Sequence, residues 1–174
     1  MPLNDPRQLI KNAISGGYAV GAFNMHNVET TEALVWAAEQ AQSPVFLQVG
    51  RAIIPHMGVR KAFEMTKHIA EESKANYVIH LDHGSWDECL EAIKLGFNSI
   101  MYDGAHLPFG ENIKTTRRIV EIAHDFGIPV EAELGKLAGV EERSVEEKDA
   151  ILTDPETAAE FVGRSGVDTL AVAI

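Results

Sequence analysis

The sequence predicts an α/β fold of strand–helix steps, with about six of the eight strands that a (β/α)8 barrel requires. Three observations carry this reading. Along the 174 residues the apolar period switches repeatedly between helix-like and strand-like, with Gly or Pro at the changeovers. No turn signal separates two strands directly, so helices are the expected crossovers and the strands should lie parallel. After the first strand comes Phe23-Asn24-Met25-His26-Asn27, without the Gly-x-Gly-x-x-Gly turn of a dinucleotide-binding doubly wound sheet.

The elements follow in order. Asp5 can cap a first helix that has Pro6 at its first position, runs to Ser15 and stops at Gly16-Gly17. Tyr18 to Phe23 then reads as a strand. A helix over Val28 to Gln42 leads to the strand Pro44 to Val49, and one over Val59 to Ser73 precedes the strand Tyr77 to Leu81. Ser85 with Glu88 forms a capping box for a helix ending near Gly96, and Asn98 to Tyr102 is the fourth strand. Glu111 to Phe126, stopped by Gly127, delivers Pro129 to Leu134. The charged segment Glu141 to Asp149 reads as a mobile, solvated loop. Asp154-Pro155 then starts a helix ending near Gly166, and Thr169 to Ile174 is the sixth strand. Residues 1–174 are expected to form a single domain, the N-terminal part of a barrel that is incomplete with six strands.

Composition narrows the function. The net charge of −11, from 15 basic and 26 acidic residues, comes without a basic stripe, which disfavours nucleic-acid binding. No stretch approaches the roughly 20 apolar residues of a membrane span, and no leader-like run opens the chain, so a cytoplasmic protein is expected. The single cysteine, Cys89, lies in an amphipathic helix and reads as a buried small hydrophobe. Trp36 and Trp86 read as packing residues.

The chemistry gathers at His80-Leu81-Asp82-His83-Gly84, which closes the third strand with an acid, two imidazoles and a turn glycine. Loops at the carboxyl ends of parallel strands are where α/β proteins hold substrate. A carboxylate beside an imidazole at such an edge points to a metal with a proton donor or acceptor next to it. Other polar groups end the neighbouring strands: Asn24, Gln48, Asp103, and Glu131 with Glu133. Taken singly, His83 could be a helix-entry histidine, Asp82 a helix cap, Asp103 a strand terminator and Glu133 a lysine partner. His80, on the same strand face as Asp82, reads as an inward-packed histidine. The other histidines read as surface, loop or helix residues.

The chain resembles the class II, zinc-dependent fructose-bisphosphate aldolases, including their tagatose-bisphosphate relatives. The resemblance rests on Gly21-Ala22-Phe23-Asn24, His80-Leu81-Asp82-His83-Gly84, Ser99-Ile100-Met101-Tyr102-Asp103-Gly104, Glu131-Ala132-Glu133-Leu134-Gly135 and Thr169-Leu170-Ala171-Val172-Ala173-Ile174. It implies a (β/α)8 TIM barrel and reversible cleavage of fructose 1,6-bisphosphate into dihydroxyacetone phosphate and glyceraldehyde 3-phosphate, the step of glycolysis and gluconeogenesis. It implies a zinc ion, other divalent metals being possible, held by three histidines of which His83 matches the first. The other two would lie past the strand matching Thr169 to Ile174, so this chain resembles the N-terminal two-thirds of such an enzyme.

The resemblance further assigns Asp82 as proton donor and acceptor at the aldehyde oxygen. Asp103 and Glu133 resemble residues at a second or displaced metal position, and Asn24 resembles one that holds the triose phosphate. For the proton at the ketose carbon it favours Glu141, with Glu142 the alternative; Ala138 and Val140 nearby depart from the commoner pattern. A sugar phosphate substrate and a homo-oligomer are implied. Two other readings stay open: a tagatose-bisphosphate aldolase, and a noncatalytic partial barrel that needs a complementary partner chain. With one histidine of three, the chain alone is expected not to turn over substrate.

Overall fold

The computed structural model describes residues 5–136, 139–140, 144–145 and 151–174. Its helices are α1 (Pro6–Gly16), α2 (Val28–Ala41), α3 (Ile54–Glu71), α4 (Trp86–Leu95), α5 (Phe109–Asp125) and α6 (Pro155–Ser165). Its strands are β1 (Gly21–Asn24), β2 (Val45–Val49), β3 (Tyr77–Gly84), β4 (Ser99–Tyr102), β5 (Val130–Leu134), β6 (Gly139–Val140), β7 (Ser144–Val145) and β8 (Thr169–Val172).

Six strands form one sheet in the order β1-β2-β3-β4-β5-β8, and every neighbouring pair is parallel. Spatial order follows chain order throughout. A doubly wound sheet reverses order at a switch point, whereas here α2 packs on α3, α3 on α4, α4 on α5 and α5 on α6 in unbroken succession. That is the arrangement of a half-barrel.

Local chemistry sets the helix ends. The Asp5 side chain accepts from Arg7 N at 3.0 Å with Pro6 behind it, Ser85 and Glu88 close the expected capping box, and Asp154 accepts from Thr157 N at 2.8 Å. Asn27 and Thr30 form a second capping box ahead of α2. Helix α3 begins five residues earlier than expected because two helical segments meet at Gly58, whose φ of 77° and ψ of 164° break the helix just before Val59. Between β5 and α6, β6 and β7 pair antiparallel and Lys136 and Ile151 exchange backbone hydrogen bonds of 2.8 and 2.9 Å, so Ser144 and Val145 are in a strand. The rest of the segment Glu141 to Asp149, read as a loop, lies outside the described residues.

The core lies between the sheet and the helices α2 to α6. It includes Leu47, Ile79, Leu81, Ile100, Val130, Ile119 and Phe161, all fully buried, with Phe63 stacked on Phe97 at 4.5 Å. The central strand β4 is buried throughout, as parallel strands covered on both faces should be. Trp36 departs from its expected packing role: it is 64% exposed on α2. Trp86 is partly buried and carries the Arg118 guanidinium over its ring at 5.1 Å. Among the described residues, no helix is long and apolar enough to cross a membrane.

Candidate functional site

At the carboxyl end of β3 the ladder to β4 slips. Leu81 pairs with Ile100 and Gly84 with Tyr102, so Asp82 and His83 together stand opposite Met101 alone. This is a β-bulge. In a regular strand two consecutive side chains point to opposite faces, but His83 takes the left-handed region with φ of 48°. Asp82 and His83 consequently line the same recess, of about 160 Å³, with Met101, Glu131, Glu133 and Val172 among its other walls. The bulge, more than sequence adjacency, brings the acid and the imidazole together.

His83 Nδ1 lies 3.4 Å from Asp103 Oδ2 and 3.3 Å from Glu133 Oε2. Asp103 is fixed by its own turn, Oδ1 accepting from Ala105 N at 3.1 Å. The backbone carbonyl of Glu133 accepts from buried Asn112 Nδ2 at 3.2 Å, which ties the end of β5 to α5. Asp82 is 8% exposed, and its Oδ1 accepts from Gln48 Nε2 at 3.1 Å. Gly50 leaves the necessary room, since a Cβ there would come within 3.0 Å of Asp82 Cβ and Oδ2.

The recess is acidic. Burial works against a charged His83, but hydrogen bonds to Asp103 and Glu133 and the charges of Asp82 and Glu133 outweigh it, pushing the imidazole up to about 10. Burial and the Asp82 charge push the Glu131 carboxyl up to about 7. His80 behaves oppositely: burial, then the His83 charge, lowers it to about 3, so it is a neutral ring sharing a 2.8 Å hydrogen bond with Ser99 Oγ. This is the inward-packed histidine the sequence predicts.

His83, Asp103 and Glu133 each offer one ligand atom, and the three atoms lie within 4.8 Å of one another. An imidazole nitrogen with two carboxylate oxygens suits a divalent cation of borderline character. The surroundings fit a cation, because Asp103 and Glu133 flank the imidazole and Asp82 and Glu131 line the same recess; a metal bound there would displace any proton from His83.

Of the predicted site residues, Asp82, His83, Asp103 and Glu133 come together. Asn24 does not join them: it is exposed at the end of β1, in register with Gln48 and two strands from Asp82. Glu141 and its alternative Glu142 lie outside the described residues. The roles of Gln48, Glu131 and Arg51 were not predicted, although Gln48 and Glu131 carry the strand-end signal that marked Asp82 and Glu133. Arg51 has no such signal.

Comparison with known proteins agrees with this geometry. The family model for class II fructose-bisphosphate aldolase matches residues 4–174. A fructose-bisphosphate aldolase of Thermus caldophilus is 46% identical over 96% of this chain and 55% of its own length. One from Geobacillus stearothermophilus is 42% identical over 100% of this chain and 62% of its own. The crystal structure of the YdjI aldolase from Escherichia coli K12 superposes with a TM-score of 0.87 at 36% identity, covering 99% of this chain and 62% of that one. The chain thus spans 55 to 62% of the length of these relatives.

Proposed function

We propose, for a chain that belongs to the class II fructose-bisphosphate aldolase family, that the protein carries out metal-dependent, reversible retro-aldol cleavage of fructose 1,6-bisphosphate. The observation that carries this is the convergence of His83, Asp103 and Glu133 within 4.8 Å beside Asp82 in one recess.

His83 would be a zinc ligand, with Asp103 and Glu133 accepting its ring proton or meeting the metal themselves. When bound there, zinc supplies Lewis acidity toward a substrate carbonyl, lowering the cost of the negative charge left as the carbon–carbon bond breaks. Asp82 takes the hydroxyl proton as cleavage frees the aldehyde, and returns it in condensation. The amide of Gln48 orients that carboxylate. Asn24 would hold the triose phosphate, and Glu141 would move the proton at the ketose carbon.

Residues 1–174 would form the N-terminal part, incomplete with six strands, of a single TIM-barrel domain in a cytoplasmic homo-oligomer. Family membership supports the sugar phosphate substrate, and the continuous α2-to-α6 layer supports the single domain.

The test is an assay of triose phosphate release from fructose 1,6-bisphosphate and, in parallel, tagatose 1,6-bisphosphate. It is made on the barrel completed by the segment that carries the other two histidines, since residues 1–174 alone are expected not to turn over substrate. Activity should require added divalent metal, and Asp82→Asn should lower kcat by about 10²–10⁴. Turnover that survives a chelator, or an Asp82→Asn enzyme of full activity, would refute the reading. Preference for the tagatose substrate would move it to the sister activity.

A further inference from the structure

The β-bulge that aims His83 leaves its backbone carbonyl in need of a donor from outside the ladder, because the extra residue of a bulge has no partner opposite. Arg51, in the segment between β2 and α3, supplies it twice: Nη2 donates to His83 O at 2.7 Å and Nε at 3.2 Å. The guanidinium is itself held by Glu88. Arg51 Nη1 donates to Glu88 Oε1 at 2.8 Å, and Arg51 Nη2 pairs with Glu88 Oε2. Glu88 in turn accepts from Ser85 N at 2.8 Å, within the capping box of α4.

We propose that Arg51 is the positioning residue of the metal site, holding the His83 peptide in its left-handed turn so that the ring faces Asp103 and Glu133. The proposal rests on the reading of His83 as a metal ligand. A left-handed conformation at a non-glycine residue is strained and persists only when its surroundings over-determine it. A planar fork on the carbonyl, locked from behind by a carboxylate, is such a restraint, because it fixes the orientation of the peptide as well as satisfying its oxygen. Arg51 also joins β2, the bulge and the start of α4 in one chain of hydrogen bonds, so its effect reaches the ring through backbone geometry. It touches no reacting atom.

The experiment compares parent protein, Arg51→Met and Arg51→Lys in two ways. Cobalt(II), as a spectroscopic probe, is titrated into each, and the backbone carbonyl ¹³C shift of His83 is read in each metal-free protein. Loss of a supporting contact of this kind weakens metal binding by about 10–100-fold, so Arg51→Met should bind cobalt that much more weakly, with an altered visible spectrum and a moved His83 carbonyl resonance. Arg51→Lys should fail to rescue either readout, because one ammonium cannot reproduce the two-nitrogen fork. Unchanged cobalt affinity and an unmoved resonance in Arg51→Met overturn the proposal. If Arg51→Met does not fold, Arg51→Lys decides alone, and parental values in it overturn the proposal. If the parent itself binds no cobalt, the metal-site reading fails, and with it the proposed role of Arg51 at that site; the carbonyl readout then separately decides whether Arg51 holds the His83 peptide.

Discussion

Gln48 Nε2 donates to Asp82 Oδ1 at 3.1 Å, from one strand of the sheet to the next. The bond reaches the carboxylate from the side of β2, while Gly50 on the same flank keeps space for it. A hydrogen bond to an ionised group contributes about 1.5–3 kcal/mol, and here it fixes the direction in which Asp82 faces the recess. In the completed barrel, Gln48→Leu should lower kcat roughly tenfold or more, at 1.4 kcal/mol per decade, with KM nearly unchanged because substrate binding is not the bond's task. Steady-state kinetics check this; a raised KM at parental kcat would show that Gln48 serves binding instead.

The acidic cluster around His83 implies that metal and folding are linked. A cation bound only by the folded state stabilises it by about 2.7 kcal/mol at a concentration a hundred times Kd. For a chain of this size that corresponds to a Tm higher by roughly 5–10 °C. Adding zinc to chelator-treated protein should produce this rise, and His83→Ala should abolish most of it. Calorimetry of the two proteins with and without zinc makes the comparison; an equal rise in His83→Ala would place the metal elsewhere.

Much of the fold was legible in the sequence because its signals are local. Asp5, Ser85 with Glu88, and Asp154 cap helices where their side chains indicate, and the six parallel strands fall on the apolar runs read for them. What was not legible depends on pairing between strands. The slip between Leu81 and Gly84 is set by the register of β4 against β3, and without it Asp82 and His83 would face opposite ways. The same holds for β6 and β7, whose pairing no turn signal announced. At the site, Asp103 and Glu133 were legible as strand-end acids, while Arg51 acts through a carbonyl, a group every residue carries. Trp36 was misread because an aromatic on a helix is usually packed, and this one stands on the outer face of α2.

At the opposite end of the strands, Asp168 gathers Arg7 Nε at 3.2 Å, His124 Nε2 at 2.8 Å and Val130 N at 2.8 Å. Burial works to raise this carboxyl, but the donors from His124, Val130 and Arg7 prevail and hold it below the usual carboxylate range. A carboxyl depressed in the folded state contributes stability that is present above its unfolded value, about 3.9, and is lost as pH falls through the folded one. Asp168→Asn should therefore destabilise the protein by about 1 kcal/mol at neutral pH, solvent screening keeping the figure small. The gap from the parent should persist above about pH 5 and narrow as pH falls below about 4. Denaturant melts across this range test the sign; a gap that widens in acid would contradict it.

Gly84 ends β3 where three groups crowd it. A Cβ at this position would stand 2.5 Å from Leu81 Cδ2, 2.9 Å from the Met101 carbonyl oxygen and 3.0 Å from Cys89 Sγ. The leucine methyl can rotate away, but the carbonyl belongs to β4, whose residues are all buried, and the thiol is fully buried against it. Overpacking of this kind costs about 1–3 kcal/mol, so Gly84→Ala should lower Tm by about 2–4 °C for each kcal/mol. Because Gly84 is also the residue at which the ladder resumes after the bulge, relief of the clash should displace His83 and weaken metal binding along with stability. Thermal melts and a metal titration on the same variant examine both effects, and a Gly84→Ala protein with parental Tm and parental affinity would show that the end of β3 has room the packing does not allow.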